Sequence, residues 1–576
     1  MRFNINFKNF NLISKRFILF YLLIASYLIQ FILLKHFGLY EDDYWSIAPA
    51  YKTTLSDLIN KIINCFIYWP TGRPLNHILP LAYGYVGHQL GGLSMLYLLA
   101  CIWLGFNAWL IYCIARHWLN APSAFIAGLI YISFPADTTH QLLTHVSHVQ
   151  GAMTFMLLGW LLWLKENRTR WLSYPISSLA LLSYETAFIA FIAAPLFGKK
   201  NSKISESKIW FEHIIGCSII LSCIGFIRIH LSDTRAISIL GTPKDAILKA
   251  ITSCILGPIT IIRANCLAIS TGWKFFNSVS ITASLLIVIF ILIITKYDNL
   301  KSDQKSNLTN RVILGALLTL PLSYILTLVN YPPTQLAGRL TSTHVAAAFP
   351  WSITIGILYY ISSKQVPYIR NLLYFTYSLI LFLLIGYNYS IQANYCEASK
   401  LQKSFWQQIL NLTPDIRDNT SIIVAGTPSL GTEPHFIGSN SWADYYTCQL
   451  IFDSDPRVKN AHTISFGHLG VVPELWDFKA SNNKIEAWKP KYWIETSNPS
   501  KLESPRYIPI TPDNLILIYS YSGILRRVNS LHLNLPDRSG VTTKYTLEST
   551  QLIPLVSSKI APSSALFKEL WKRTDK

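Results

Sequence analysis

Charge is what this chain has least of. Only 14% of its 576 residues are Asp, Glu, Lys or Arg, against 51% that are hydrophobic, and mean hydropathy is +0.32. That composition excludes an ordinary soluble protein and a disordered chain, and it points to a polytopic membrane protein. Acids are the scarcer sign, 30 against 49 basic residues, for a formal net charge of +19. A surplus of that size can mark nucleic-acid binding, but here Lys and Arg fall in short clusters between apolar runs, as cytoplasmic turns require. No nucleic-acid partner is expected. Cysteine is present without a usable pattern: there are nine, and Cys101, Cys113, Cys217 and Cys223 lie inside apolar runs with no CxxC or Cys/His spacing. A disulfide framework and a structural zinc site are therefore not indicated, and Cys396 and Cys448 have reason to pair only if their region is extracytoplasmic. Gly426-Thr427-Pro428-Ser429-Leu430-Gly431 lacks the lysine and glycine spacing of a nucleotide-binding loop, and no internal repeat stands out.

What is present is a series of apolar runs. Arg2, Lys8, Lys15 and Arg16 precede a run from Phe17 to Leu34 that no small-residue cleavage site follows. It reads as an uncleaved first membrane helix with a cytoplasmic N-terminus. Further spans are expected at 93–115, 123–134, 149–164, 209–231, 279–294, 312–329, 345–361 and 372–388. The run 171–197 has basic residues on both flanks, Arg168 and Arg170 before it and Lys199, Lys200 and Lys203 after it. Folding back near Ser183-Tyr184-Glu185 keeps both flanks cytoplasmic, and each arm of about 13 residues then rises about 20 Å, short of a hydrocarbon core of about 30 Å. Such a break is tolerated only where protein or a wet cavity covers the backbone. The stretch 246–262, interrupted by Lys249, Gly257 and Pro258, is assigned to an interfacial or re-entrant segment on the outer side. Counting the hairpin twice gives about eleven crossings and an extracytoplasmic C-terminal region.

Composition changes near residue 390. Short apolar runs such as 421–425 and 515–519, punctuated by Pro, Gly, Asn and Asp, suggest a small α/β or mostly β domain. The expected organisation is a membrane module at 1–389, with a first outer loop at 37–90, and an extracytoplasmic soluble domain at 390–576.

The first outer loop opens on Tyr40-Glu41-Asp42-Asp43-Tyr44-Trp45, three consecutive acids just past the first apolar run. Acids there either cap a helix end or serve a cavity. The topology puts other polar residues on the same side: Arg73 in the aromatic segment 68–77, Asp137 and His140 with His145 and His148 close behind, Glu185 at the tip of the folded run, and Arg339 in Leu336-Ala337-Gly338-Arg339-Leu340. An acid between two apolar arms is costly enough to need a role. The histidines match no standard zinc spacing.

This order of features resembles the GT-C superfamily of integral-membrane glycosyltransferases, including the protein O-mannosyltransferase and aminoarabinose transferase types. The resemblance rests on Asp42-Asp43 after the first helix, on Gly72-Arg73-Pro74-Leu75, on Leu179 to Ala187 with Tyr184 where the family often has lysine, and on Arg339 before a late helix. It covers roughly residues 17 to 390. It implies transfer of a sugar from a polyprenyl-phosphate-linked donor to a lipid, glycan or protein acceptor, with inversion, at the outer face of a bacterial inner membrane. Such chemistry needs a base near the acceptor hydroxyl and cations near the departing phosphate. Asp42 then serves as base with Asp43 as its electrostatic or orienting partner, or the two exchange roles. Arg73 and Arg339 bind donor phosphate, and Glu185, Asp137 and His140 line the substrate site. The resemblance fixes no cofactor, and a divalent metal held by Asp42, Asp43 and Asp137 is compatible with it, since some relatives use one and others do without. Outside this class, the same charges suit a transporter or flippase of a lipid-linked or small solute, a ligase-like polymer transferase, or a non-catalytic membrane scaffold. Transport predicts charges near the midplane and internal repeats.

Overall fold

The computed structural model describes residues 15–165, 168–198, 205–231, 241–300, 309–328, 331–426, 441–453, 455, 457–469, 478–481, 484–489, 506–536 and 542–551. The basic residues Lys199, Lys200 and Lys203, the turn 301–308 and the loop 427–431 lie outside them. In chain order the helices are α1 (Lys15–Ser26), α2 (Asp43–Ser46), α3 (Leu55–Tyr68), α4 (Pro74–Gly91), α5 (Leu93–Ala115), α6 (Ala121–Ile132), α7 (Leu143–His145), α8 (Gly151–Trp163), α9 (Ser173–Ser183), α10 (Thr186–Ile192), α11 (Glu206–His230), α12 (Pro243–Thr271), α13 (Ser278–Leu300), α14 (Asn310–Leu322), α15 (Val345–Ser363), α16 (Pro367–Leu412) and α17 (Ser441–Phe452). Among the described residues, five stretches are long and apolar enough to cross a membrane: Leu93–Ala115, Glu206–His230, Pro243–Phe275, Arg339–Ser363 and Pro367–Leu412. The mostly helical class expected of a membrane protein is thus present.

Helices α5, α6 and α15 form the buried middle of the bundle. Small residues let them approach closely, as apolar solvent gives no hydrophobic drive to hold helices together. A Cβ on Gly105 of α5 would come within 3.0 Å of Leu23, and one on Gly356 of α15 would meet Ala127 of α6 at 3.0 Å. Polar side chains add specific links. Beyond α1 the backbone widens into a π-turn at Tyr27–Phe31 that carries buried Gln30. Gln30 donates to the Ile132 carbonyl at 2.8 Å and to Asn388 Oδ1 at 2.7 Å, and its own carbonyl accepts from Gln141 Nε2 at 2.9 Å. Gln392 of α16 donates to the Ile29 carbonyl at 2.9 Å. This amide network ties the first helix to α16 and to the loop carrying Asp137.

The expected reversal in 171–197 is present as α9, a break at Tyr184 and Glu185, and α10. Its two ends meet on one side chain: the Arg170 guanidinium lies 4.2 Å over the Trp163 ring, and a Cβ on Gly198 would touch the same ring at 3.3 Å. The stretch 246–262 differs from expectation. Gly257 and Pro258 do not interrupt it; they lie inside α12, a single helix of 29 residues. Gly257 lets the face of Tyr324 pack against the helix, so its missing side chain is a packing device. Contacts of this helix reach Tyr324, the Tyr331 ring over which Lys249 sits at 6.0 Å, and, just past its end at Gly272, the Leu383 carbonyl.

Residue 390 falls within α16, whose 46 residues run unbroken from the bundle into the C-terminal region. There Phe405, Trp406 and Ile409 pack with Ile422, Val424, Ile516 and Ile518 in a second core. The strands are β1 (Ser421–Gly426), β2 (Ser465–Leu469), β3 (Phe478–Ser481), β4 (Lys484–Lys489), β5 (Arg506–Pro509), β6 (Leu515–Tyr521), β7 (Ile524–Val528), β8 (Ser530–Pro536) and β9 (Thr542–Glu548). A four-stranded sheet has the order β2-β1-β6-β7, with β1 parallel to both neighbours and β7 antiparallel to β6. The central parallel strand reads Ile-Ile-Val-Ala, the continuous apolar run that a strand covered on both faces requires.

Candidate active site

The acidic triplet is built as a tight turn leading into α2. Glu41 adopts a left-handed φ of 40°, and the next residue, Asp42, is the N-cap of the helix. Asp43 is fully buried and accepts four hydrogen bonds. Oδ1 takes the Thr144 backbone N–H and the Thr144 hydroxyl, both at 2.7 Å, and Oδ2 takes the N–H groups of Tyr40 at 3.2 Å and Leu143 at 3.3 Å. Burial pushes its carboxyl up to about 7, against the pull of these donors. Asp43 therefore staples the acidic turn to the segment 143–144. Asp42 points elsewhere: it accepts from Trp45 Nε1 at 3.2 Å and from Arg339 Nη1 at 3.1 and 3.2 Å.

Arg339 reaches Asp42 from 297 residues away in sequence and also lies 3.6 Å from Glu41 through its Nε. Gly338, with a φ of 83°, turns the chain there. The turn is fixed because the Gly338 N–H donates to the Thr138 hydroxyl at 3.1 Å and the Thr138 N–H donates to the Thr341 hydroxyl at 3.0 Å. Two loops far apart in sequence are thereby joined beside the acidic turn.

A second ion cluster lies at the break between α9 and α10. Arg73 Nη1 is 3.2 Å from Glu185 Oε2, and Arg228 Nη2 is 4.0 Å from the same oxygen. Arg228 also donates through Nε to the Gly72 carbonyl at 2.9 Å and through Nη2 to the Leu181 carbonyl at 3.0 Å. It clamps the turn before Arg73 onto the end of α9. That turn holds two non-glycine residues at left-handed φ, Trp69 at 46° and Thr71 at 53°. Such backbone persists where its surroundings over-determine it. Arg228 is one constraint, and His77, 3.1 Å from the Thr71 hydroxyl, is another. The sequence reading passed over Arg228, although an arginine in the last turn of an otherwise apolar helix was a signal.

Aromatic and imidazole groups join the two clusters into one wall. The Trp45 ring lies 5.6 Å from His77, so the path from Arg339 through Asp42, Trp45, His77 and Thr71 ends at the Arg73 turn. His145 and His148 lie ring to ring at 5.4 Å, and His148 is 6.1 Å from Tyr184, whose hydroxyl meets Ser342 at 3.5 Å. His145 feels the charges of Asp42, Arg339 and Asp137, and burial pulls its imidazole down to about 4. Two buried atoms of this wall, Arg73 Nε and His145 Nδ1, have no hydrogen-bond partner among the described residues. A buried group of that kind calls for an explanation, such as a catalytic role or an ordered water or ion.

Asp137 is turned toward its own loop. Its Oδ1 accepts the Thr139 N–H at 3.0 Å and hydroxyl at 2.6 Å, and its Oδ2 is 3.8 Å from His140 Nδ1. Burial lowers the His140 imidazole from its ordinary value, with Asp137 opposing. The trio Asp42, Asp43 and Asp137 does not fit a divalent metal: Asp43 is taken up by four donors, Asp42 by Arg339 and Trp45, and no group of three or more His, Cys, Asp or Glu able to hold a metal ion is found among the described residues. Both Cys396 and Cys448 are buried free thiols. No protein-family model matches the chain, and no curated protein and no solved structure matches it.

Proposed function

We infer that the chain is a membrane glycosyltransferase that moves a sugar from a lipid-phosphate-linked donor to an acceptor hydroxyl. Asp42 is the base. It accepts the proton of the acceptor hydroxyl as that oxygen bonds to the sugar C1, while the bond from C1 to the lipid-phosphate oxygen breaks. The bonding pair leaves on the phosphate, where guanidinium groups stabilise the growing charge through paired N–H donors. Arg73 and Arg339 supply them. Asp43 holds the turn that aims Asp42, Glu185 holds Arg73, and Arg228 holds the turn beneath it. Attack opposite the phosphate inverts the anomeric centre. In this reading the acidic turn and the C-terminal domain face the outside of a bacterial inner membrane, with about eleven crossings including the α9–α10 hairpin.

The observation that carries this reading is the convergence of the Asp42–Arg339 pair and the Arg73–Glu185–Arg228 cluster on one wall that also holds buried polar atoms without a hydrogen-bond partner among the described residues. An acid beside cations, next to helices able to cross a bilayer, suits proton removal coupled to phosphate departure. The test is transfer of radiolabelled sugar from polyprenyl-phosphate donors to membrane lipid and glycan acceptors. Asp42→Asn is expected to reduce turnover at least about 100-fold, the usual lower contribution of a general base, in protein that stays folded at the assay temperature. Full transfer by Asp42→Asn eliminates the assignment.

A further inference from the structure

Helix α3 divides its surface three ways. Leu58 and Cys65 face the protein, and Leu55, Ile59, Ile63, Phe66 and Ile67 form an exposed apolar stripe. The remaining flank carries Asp57, Asn60, Lys61 and Asn64, which with Pro49, Lys52 and Thr53 line a cleft of about 250 Å³. A helix with a lipid-seeking stripe and a polar flank lies in the plane of a membrane interface, its stripe in the acyl boundary. The polar flank is then about one helix diameter away, roughly 10 Å, at the level of lipid head groups.

The cleft's chemistry is that of an anion site. Two ammonium groups, two amides and a hydroxyl converge, and Lys61 Nζ already reaches the Thr53 hydroxyl at 3.3 Å. The one carboxylate in the lining, Asp57, closes a capping box with Thr54, accepting its hydroxyl at 2.7 Å and its N–H at 3.4 Å, and its charge also acts on Lys61, so that two cations face one acid. Burial lowers both lysines from their ordinary value, a penalty that an anion between them offsets. Lys52 is also ion-paired with Asp453, just beyond α17.

We propose that the cleft between Lys52 and Lys61 binds the phosphate of a membrane-lipid head group, which competes with Asp453 for Lys52. The site needs only the interfacial placement of α3 and stands apart from the Asp42 chemistry. The test uses the full chain in nanodiscs and measures saturable binding of phosphatidylglycerol, with phosphatidylcholine as reference and a polyprenyl monophosphate as a second probe. The Lys52→Ala, Lys61→Ala double variant is expected to weaken anionic-lipid binding at least about fivefold with its melting temperature retained. Asp453→Asn is expected to strengthen it two- to fivefold, an effect that loss of a merely structural ion pair does not produce. Lysine-dependent binding of phosphatidylglycerol identifies a bilayer lipid, and lysine-dependent binding of the polyprenyl phosphate alone identifies that lipid instead. Binding of both probes unchanged in the double variant, or weakened by Asp453→Asn, overturns the proposal.

Discussion

Removing the charge of Glu185 is expected to destabilise the fold more than removing either of its arginines. The carboxylate lies 3.2 Å from Arg73 and 4.0 Å from Arg228, with side-chain exposures of 17%, 10% and 16%. At an effective dielectric of about 20 those separations correspond to gross attractions of about 5 and about 4 kcal/mol. Desolvation offsets much of this, but taking away one partner of a buried pair leaves the other charge uncompensated and costs about 3–5 kcal/mol. Glu185→Gln leaves two guanidiniums facing each other, so about 3 kcal/mol or more is expected. Arg73→Gln leaves Glu185 with Arg228, and about 1–2 kcal/mol is expected by the same reasoning. The double variant is expected near the cost of Glu185→Gln alone, a coupling of about 1–2 kcal/mol, within the range for residues in contact. The assay is unfolding of the full chain in detergent across the four members of the cycle. Additivity within about 0.5 kcal/mol would separate the two side chains and refute the cluster.

Asp43→Ala leaves four donors without their acceptor and is expected to cost at least about 2–3 kcal/mol; thermal unfolding checks it, with Asp42→Asn, which leaves Arg339 its contact with Glu41, as the milder comparison. Acid is expected to loosen the site through His145, while the raised carboxyl of Asp43 acts in the opposite direction. The imidazole of His145 is held down to about 4 in the fold, so its contribution is present above about 6.5 and is lost as pH falls toward 4. The full loss is on the order of 3 kcal/mol, and His145→Gln should shift the slope of melting temperature against pH between 6.5 and 4 relative to the unaltered chain. Gly257→Ala in α12 puts a Cβ at 2.5 Å from the buried Tyr324 ring, whose hydroxyl is bonded to His344 at 2.7 Å. Overpacking of about 1–3 kcal/mol is expected to exceed the gain in helix propensity of about 1 kcal/mol, and an unchanged or raised melting temperature would contradict that packing.

Spacing and charge made part of this molecule legible in its sequence. The break at Tyr184 and Glu185 followed from two basic flanks that a single span would have separated, and that Glu185 has a role followed from its cost between apolar arms. That its partners are Arg73 and Arg228 did not, because tertiary packing selects among arginines that composition treats alike. The same holds for the acids. Asp42 and Asp43 are neighbours of one residue type, and only the fold distinguishes them, turning one into the protein against Thr144 and the other toward Arg339. Gly257 and Pro258 misled because their propensities are those of breakers, while the ring of Tyr324 needs the space that glycine leaves. The boundary expected near residue 390 moved because α16 changes composition without changing conformation.

That long helix also sets the mechanics of the molecule. At about 1.5 Å per residue, its 46 residues make a rod of roughly 70 Å. Along it, Asn388 and Gln392 grip the first helix, Tyr395 bonds to the Thr138 carbonyl and accepts from Tyr40, Gln402 accepts from Tyr44, and Trp406 is embedded beneath the sheet. With no loop between these attachments, torque applied to the sheet has no joint in which to dissipate before it reaches the residues flanking the acidic turn. A load on the C-terminal region would therefore act on the acidic turn as through a crankshaft, and a flexible insertion at residue 390 would uncouple the two.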